Sequence, residues 1–441
     1  MSDPIMWDIL IKNGLILTLE PGAAPIAPGF AAVRNGALAA VGPMRDLAPD
    51  AAAAKTIDAS GRLVMPGLVN AHGHGAMTLF RGLADDLPLM TWLNEYIFPA
   101  EARFVDEDLV YWGSKLAAAE MLLSGTTSTA DGYFFEDQAA RAFLEAGLRV
   151  APGQGIIDFP APGVKDPTLN IETAREFLQT WQGVSPLVHP SVFCHSPYTC
   201  SPDTLVKGKG LAREFGALFQ IHVAETAAEV EMVRSARGLS PVRYLDSLGL
   251  LDQDTLVVHA VHLEDEEIDI LAARRTPVCV CVESQMKLAS GTAPAWKMLQ
   301  RGVRLSLGTD GAASNNDLNM FGELRSLALL SKAFNQDPTA MPAETALYLA
   351  GPAGAEALGW GKDVGVLAPG RKADLIILDL AEPHLHPLYS PYSHLVYSAS
   401  GREVETVMVE GRILVENGLA TSLDLDEIQA RVREIAARVR P

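Results

Sequence analysis

Cysteine and basic side chains are scarce in this sequence, and long apolar runs are absent. Four cysteines in 441 residues are too few for a disulfide framework, so we expect buried thiols. Acidic side chains outnumber basic ones by 54 to 35, and the formal charge of -19 disfavours binding to nucleic acid or to an anionic membrane surface. No apolar run approaches the roughly 18 residues that span a bilayer, and Met1 to Gly14 lacks a signal-peptide pattern. We therefore expect a cytoplasmic protein without nucleic-acid or membrane partners.

Apolar material is plentiful, and its distribution predicts the fold. Hydrophobic residues make up 48% of the chain and charged residues 20%, which is typical of a globular protein. Between residues 63 and 362, strand-like apolar runs alternate with helical stretches. The eight runs begin at Leu63, Thr126, Arg149, Val188, Leu218, Thr255, Pro277 and Val303. This alternation predicts an α/β protein built on a (β/α)8 TIM barrel.

The two ends of the chain have a different pattern from the middle. Short alternating or apolar segments between Gly and Pro, such as Asp8–Lys12 and Ala373–Asp379, are typical of antiparallel strands. Neither set alone buries an apolar face well. We therefore predict one small composite β-sandwich domain from residues 1–62 and 363–424, beside a barrel of residues 63–362. Residues 425–441 are predicted to form a helix that packs on the outside.

Side chains that can bind a metal or transfer a proton recur at the predicted strand ends, where the active sites of such barrels lie. His72 and His74 follow the first strand, His195 the fourth, His222 and Glu225 the fifth, His259 the sixth, and Asp310 the eighth. Three imidazoles and one carboxylate suit a mononuclear site for a divalent metal, and Glu225 is placed to move a proton beside it. Taken singly, His222 also fits a core histidine and Asp310 a turn cap.

Other histidines fit structural roles better. His384 and His386 have the same spacing as His72 and His74, but they lie between two prolines without an acidic partner pattern. His262 falls in a loop after the sixth strand, and His189 falls near the start of the fourth. We predict no metal at any of these positions.

These residues lie in blocks that resemble a known family. The blocks include Pro66 to Met90, His195-Ser-Pro-Tyr-Thr, His222-Val-Ala-Glu-Thr and Gly308 to Leu318. They resemble the amidohydrolase superfamily and, within it, the 5'-methylthioadenosine/S-adenosylhomocysteine deaminases. The likeness covers almost the whole chain, including the predicted composite β domain.

The resemblance implies an enzyme, a site and a reaction. His72, His74, His222 and Asp310 would hold one divalent metal per chain, Zn²⁺ or else Fe²⁺ or Mn²⁺. Glu225, His259 and Asp310 would serve catalysis through a metal-bound hydroxide, which replaces the 6-amino group of 5'-methylthioadenosine, S-adenosylhomocysteine or a related adenosine. The products would be the inosine analogue and ammonia. Substrate contacts would come from Glu101 and His195 at the ribose hydroxyls, from Glu225 at the base, and from Trp92 and Gln154 near the 5' end.

Two departures from the family pattern leave alternatives open. Val280-Cys281-Val282 and Gln285 stand where many members have His-Asn-Pro and an Asn, which predicts an altered wall after the seventh strand. An amidohydrolase acting on another amino- or chloro-substituted heterocycle therefore remains open: a triazine, guanine, an oxidised purine or a pterin. Gln154 stands where some members carry an Arg that pairs with the substrate carboxylate. Lys165, in the loop after the third strand, is the alternative partner for that carboxylate, and an apolar 5' group is expected to contact Met90, Trp92 and Val282. A catalytically inactive relative is a further alternative, and the oligomeric state, monomer or homo-oligomer, stays open.

Overall fold

Two sheets organise residues 6–439, which are the residues that the structure, a computed structural model, describes. The strands are β1 (Met6–Ile16), β2 (Ile26–Arg34), β3 (Ala37–Pro43), β4 (Ala52–Asp58), β5 (Arg62–Pro66), β6 (Leu68–Asn70), β7 (Thr126–Tyr133), β8 (Arg149–Ile156), β9 (Ser191–Cys194), β10 (Phe219–Val223), β11 (Thr255–His259), β12 (Val278–Val280), β13 (Leu305–Leu307), β14 (Leu375–Asp379), β15 (Val404–Val409), β16 (Arg412–Glu416) and β17 (Leu419–Ala420). Residues 1–5 of the first predicted domain segment and residues 440–441 of the predicted C-terminal helix lie outside the described range.

Strands β6 to β13 form a parallel sheet in which each strand pairs with the next one in the chain. Two backbone hydrogen bonds join its first and last strands: Ala71 N–H donates to the Leu307 carbonyl at 2.9 Å, and Asp310 N–H donates to the His72 carbonyl at 3.1 Å. Side chains on these strands are almost all buried, as expected where helices cover the sheet. The predicted (β/α)8 barrel is confirmed.

The run predicted as the first barrel strand from Leu63 is in fact divided between the two sheets. Arg62–Pro66 pairs with β14 and β1 in the terminal sheet, whereas Leu68–Asn70 pairs with β7 in the barrel. Pro66 has no N–H to continue a ladder. A Cβ at Gly67 would lie 2.2 Å from the Thr127 side chain, so only glycine fits at this crossing.

The second sheet combines both chain ends, as predicted. Its strand order is β17-β16-β15-β14-β5-β1-β2-β3, with β4 also pairing with β1. Most neighbours are antiparallel, although β1 runs parallel to β4 and β5. The antiparallel pairing of β14 with β5 links the two ends, and buried residues such as Ile11, Val33 and Ile377 form a core beneath the sheet. The exact division into domains at residues 62/63 and 362/363 stays a prediction.

Helices connect and cover the strands. They are α1 (Leu89–Thr91), α2 (Phe98–Phe104), α3 (Glu107–Leu123), α4 (Glu136–Ala146), α5 (Asn170–Trp181), α6 (Pro202–Phe215), α7 (Ala227–Arg237), α8 (Pro241–Ser247), α9 (Asp265–Arg274), α10 (Val282–Lys287), α11 (Ala295–Gln300), α12 (Met320–Asn335), α13 (Ala343–Leu349), α14 (Pro352–Ala357), α15 (Pro391–Tyr397) and α16 (Leu425–Val439). A π-helical turn, Trp92–Ile97, lies between α1 and α2. Within residues 6–439, no helix combines the length and apolar character needed to cross a membrane.

Helix α16 packs against α3 on the outside of the barrel, as predicted. Its Ile428 and Ile435 are buried, and the Arg431 guanidinium lies 5.5 Å from the centroid of the Trp112 ring.

Helix α3 begins at a cap in which the Asp106 side chain accepts a hydrogen bond from Leu109 N–H at 2.8 Å.

Candidate metal and substrate site

The polar residues singled out in the sequence meet at one end of the barrel, where the carboxyl ends of parallel strands converge. The loop after β6 supplies two of them, the ends of β9, β10 and β11 supply four more, and the loop after β13 supplies the last. They are His72, His74, His195, His222, Glu225, His259 and Asp310. Parallel pairing explains this convergence, because each crossover returns the chain to the same end of the sheet.

Imidazole nitrogens and one carboxylate face each other closely at the centre of this end. His72 Nε2 lies 3.1 Å from His222 Nε2 and 3.5 Å from Asp310 Oδ1, and His74 Nε2 lies 3.2 Å from the same oxygen. Donor atoms of His72, His222, His259 and Asp310 all lie within 4.8 Å of one another. The described residues therefore include a His/His/His/Asp group of the kind that holds a divalent metal ion.

The protonation states of these groups suit metal binding. Burial lowers the pKa of His72 to about 4, and burial also lowers the pKa of His222 well below its usual value. Burial alone would raise the pKa of Asp310, but hydrogen bonds with His72 and His74 hold it well below its ordinary value. At neutral pH the group thus combines neutral imidazoles with a carboxylate, which are the forms that bind metals.

His74 and His259 both offer a nitrogen to this centre. The His74 Nδ1 donates to the Gly132 carbonyl at 2.5 Å, and its Nε2 lies 3.2 Å from Asp310 Oδ1. Burial alone would lower the pKa of His74, but its hydrogen bond to Asp310 raises that pKa above the ordinary value. A metal ion bound at Nε2 would replace the proton that His74 donates to Asp310. The His259 Nε2 lies 3.7 Å from Glu225 Oε2. The choice of His74 rather than His259 as the fourth ligand stays a prediction.

Two serines that the sequence analysis gave no role orient Asp310. Ser284 Oγ and Ser314 Oγ donate to Asp310 Oδ2 at 2.7 and 2.8 Å. Because both donors occupy Oδ2, Oδ1 is the oxygen that faces the histidines. Asp310 also has a left-handed backbone with φ of 64°, which an Asp tolerates better than most residues. Ser284 lies 26 residues from Asp310 in the sequence, so no local spacing predicts its contact.

Glu225 is a partly buried acid beside this centre. Burial, reinforced by the nearby Asp310 charge, raises the pKa of Glu225 to about 8, so its carboxyl group carries a proton at neutral pH. The backbone that carries it is held by Glu229, whose two oxygens accept hydrogen bonds from Ala224 N–H at 2.8 Å and Glu225 N–H at 2.7 Å. These contacts fix the position of a carboxyl group that can donate a proton beside the centre.

A cavity of about 270 Å³ opens from these residues between the barrel and the segment around α1 and α2. Glu101 and His195 line it, as does Trp92, and aromatic side chains including Phe98 and Phe159 form an apolar wall. The rings of Phe98 and Phe159 meet edge to face, with centroids 5.6 Å apart. Small-molecule sites typically join an apolar lining of this kind to a few fixed polar groups.

The Glu101 carboxylate has a partner that the sequence analysis missed. The Tyr133 hydroxyl donates to Glu101 Oε1 at 2.6 Å, and both side chains are buried. Burial raises the pKa of Glu101 to about 7. His195 is neutral, because burial lowers its pKa to about 3, and its Nδ1 lies 3.0 Å from Thr199 Oγ1.

Gln154 does not line the cavity. It lies two residues before the end of β8, is 3% exposed, and its Oε1 accepts a hydrogen bond from Glu136 N–H at 3.3 Å. Lys165 is exposed and also lies outside the lining. In the described part of the chain, no lysine or arginine lines this cavity, whereas four acidic residues do: Glu101, Glu225, Glu229 and Asp310.

The departure after the seventh strand also lies outside the cavity wall. Val280, Cys281, Val282 and Gln285 are all buried, and none of them lines the cavity. The Gln285 amide donates instead to the His259 carbonyl at 3.4 Å. The sequence-based expectation of an altered wall at this point is therefore not met, because these side chains pack behind the site.

Three of the other histidines have structural partners, and His386 is exposed. His384 Nε2 lies 2.7 Å from Glu403 Oε1, His262 Nε2 lies 2.6 Å from the Ser290 carbonyl, and His189 Nε2 lies 3.1 Å from the Pro186 carbonyl. The four cysteines are buried and unpaired by disulfides.

A barrel with a histidine and aspartate centre at its carboxyl end defines a metal-dependent hydrolase class, and comparison with known proteins gives the family. The amidohydrolase family model matches residues 63–414. The chain is 46% identical over 434 residues to a 5-methylthioadenosine/S-adenosylhomocysteine deaminase of Syntrophobacter fumaroxidans, which covers 98% of this chain and 99% of the relative. It is 44% identical over 441 residues to a 5'-deoxyadenosine deaminase of Methanosarcina mazei, covering 98% of this chain and 100% of the relative.

A solved structure agrees with these relatives. An adenosine deaminase from Xanthomonas campestris with bound zinc has a TM-score of 0.97 and 38% identity, and the match covers 99% of each chain. The chain therefore belongs to the amidohydrolase family, and the predicted resemblance is confirmed.

Proposed function

We propose that this protein is a metal-dependent hydrolytic deaminase of adenosine derivatives that carry a small apolar group, or none, at the 5' carbon. The observation that carries the proposal is the placement of the Glu225 carboxyl group beside the histidine and aspartate centre, with the Glu101 carboxylate lining the same cavity. A 6-aminopurine needs an acid at N1, and its ribose needs an acceptor for hydroxyl groups. The names of the relatives support the same chemistry.

His72, His74, His222 and Asp310 would hold one zinc ion per chain. The imidazoles of His72 and His222, which burial keeps neutral, and the Asp310 carboxylate fit such an ion, and zinc is bound in the Xanthomonas campestris relative. His74 would bind the ion through Nε2 in place of the proton that it donates to Asp310. When bound, the ion lowers the pKa of a coordinated water from about 15.7 toward about 7, which supplies the nucleophile.

Protein side chains would transfer the protons and orient the water. Glu225 donates its proton to N1 as water adds to C6, and the resulting Glu225 carboxylate accepts a proton from the added water. That proton passes to the 6-amino group, which leaves as ammonia. The remaining proton of the water then returns from the C6 hydroxyl to Glu225 as C6 becomes a carbonyl, which regenerates the acid. His259 Nε2, 3.7 Å from Glu225 Oε2, is neutral because burial lowers its pKa to about 4, and it accepts a hydrogen bond from the water.

Glu101 and His195 would bind the ribose hydroxyls. Both line the same cavity as Glu225, and the buried Glu101 and the partly buried His195 offer acceptors to a diol. Trp92 lies in the apolar lining and would contact the 5' end, whereas Met90 and Val282 are absent from that lining. The alternative of another heterocyclic substrate depended on the departure after the seventh strand, and those residues lie behind the cavity.

An ammonia-release assay tests the proposal. We expect turnover of 5'-deoxyadenosine and 5'-methylthioadenosine, and no detectable turnover of guanine, a pterin or an aminotriazine under the same conditions. Protein purified without chelator and supplied with zinc is the appropriate sample. Ammonia released from a triazine or guanine but from none of the adenosines would refute the proposed function.

We also expect 5'-methylthioadenosine to be preferred over S-adenosylhomocysteine. The longer substrate brings a carboxylate to a cavity lined by acidic groups and by no cation in the described residues. A missing charged hydrogen bond is worth about 1.5 to 3 kcal/mol, so the ratio of kcat/KM values should be about ten or more. Steady-state kinetics on both substrates measures this ratio.

Lys165→Ala is the matched test of this preference. Because Lys165 is exposed and outside the lining, the substitution should leave the ratio unchanged. Equal efficiencies for the two substrates in the unmodified protein, falling to a tenfold preference in Lys165→Ala, would show that this lysine reaches the carboxylate and that our reasoning is wrong.

A further inference from the structure

We propose that Tyr133 is a positioning residue for the ribose, acting through Glu101. The inference rests on the proposed function, because it concerns how the same cavity recognises its nucleoside. Tyr133 is the last residue of β7 and Glu101 lies on α2, so the contact joins the barrel to the segment that covers the cavity.

The hydrogen bond from Tyr133 engages only one of the two oxygens of the Glu101 carboxyl group. Tyr133 Oη donates to Oε1 at 2.6 Å, a short distance typical of a hydroxyl bound to a carboxylate. Among residues 6–439, no other side chain or backbone group donates to this carboxyl group. Oε2 is therefore the oxygen left for a ligand in the cavity that both residues line.

Tyr133 is itself firmly held, so it is a suitable anchor. Its side chain is 5% exposed, and its ring packs 5.2 Å from the Phe134 ring and 6.4 Å from the His74 ring, measured between centroids. A tyrosine has two side-chain torsions, whereas the glutamate it holds has three and loses more rotamer freedom when it must adopt one geometry. Fixing Glu101 before the substrate arrives removes that loss from the binding step.

The test compares Tyr133→Phe on two substrates that differ only at the ribose hydroxyls. With 5'-deoxyadenosine, we expect KM to rise about tenfold while kcat stays within about twofold. With 2',3',5'-trideoxyadenosine, which has no hydroxyl for Glu101 to bind, kcat/KM should change by less than about twofold. In a Glu101→Gln background, adding Tyr133→Phe should likewise cost less than about twofold, because the two residues act as one unit.

Tyr111→Phe is the matched control. Tyr111 also donates its hydroxyl to a glutamate, Glu145 Oε2, at the same distance of 2.6 Å, but at the surface and outside the cavity. Tyr111→Phe should leave kcat and KM unchanged for both substrates. The melting temperature of each variant checks folding, and if Tyr133→Phe does not fold, Glu101→Gln alone should lose efficiency on 5'-deoxyadenosine but not on the trideoxy substrate.

Equal losses on both substrates in the folded variant would overturn the inference, because a general structural role would produce them. No loss on either substrate would overturn it too. Both outcomes leave the proposed function intact, whereas an unmodified protein that releases no ammonia from any adenosine derivative refutes the proposed function itself.

Discussion

Replacing Glu225 by Gln is expected to lower kcat by at least about two orders of magnitude while the metal content stays unchanged. The amide keeps the shape of the side chain but cannot donate the proton that N1 requires, and acid-base catalysis is worth about 10² to 10⁴ in rate. Glu225 reaches this role because burial, with the nearby Asp310 charge, raises its pKa to about 8. Ammonia-release kinetics and elemental analysis of the same preparation measure the two quantities.

The control for this variant is Glu266→Gln, an identical change on the exposed start of α9. It should alter neither turnover nor metal content. Loss of metal from Glu225→Gln would show that Glu225 is a ligand and would contradict its assignment as the proton donor.

Replacing His72 by Ala is expected to remove both the metal and the activity. Elemental analysis should give about one divalent ion per chain in the unmodified protein and close to none in the variant. His72 is fully buried, and its Nε2 faces both His222 and Asp310, so the substitution removes a donor atom from the middle of the group. Lewis-acid catalysis contributes several kcal/mol, so we expect turnover to fall by at least about a thousandfold.

His386→Ala is the matched control for this second variant. It removes a histidine from the other His-x-His pair, which lies in the segment after β14, and it should change neither metal content nor turnover. A His72→Ala protein that retains one ion per chain would contradict the proposed ligand set, and His74→Ala and His259→Ala would then identify the remaining ligands.

Two buried glutamates, Glu229 and Glu323, hold backbone segments beside the site. Glu229 accepts hydrogen bonds from two consecutive backbone N–H groups of the loop after β10, and Glu323 does the same at the start of α10, where Val282 and Glu283 donate to it. Glu229 lies on α7, which directly follows the first of these segments, and Glu323 lies on α12, which packs against the second. Such contacts fix loop backbones, which would otherwise sample many conformations, in the geometry that the site requires.

The sequence by itself determined the barrel and the main residues of its centre. Eight apolar runs separated by helical stretches specify a parallel sheet, and a parallel sheet places every strand end on the same side. His72, His222, His259 and Asp310 could therefore be predicted to meet, because each directly follows or ends such a run. The pairing of the two chain ends in one sheet could be predicted as well, since neither set alone covers its apolar face.

Only the tertiary structure decided which side chains reach the cavity. Gln154 lies on a strand that contributes to the lining, yet its amide turns to the backbone of Glu136 because it sits below the strand's end. Conversely, Tyr133 and Glu101 are 32 residues apart and meet at 2.6 Å, and Ser284 on α10 contacts Asp310 from 26 residues away. Strand periodicity fixes the end of the sheet at which a residue lies. Contacts between loops depend on barrel curvature and side-chain rotamers, which no local spacing encodes.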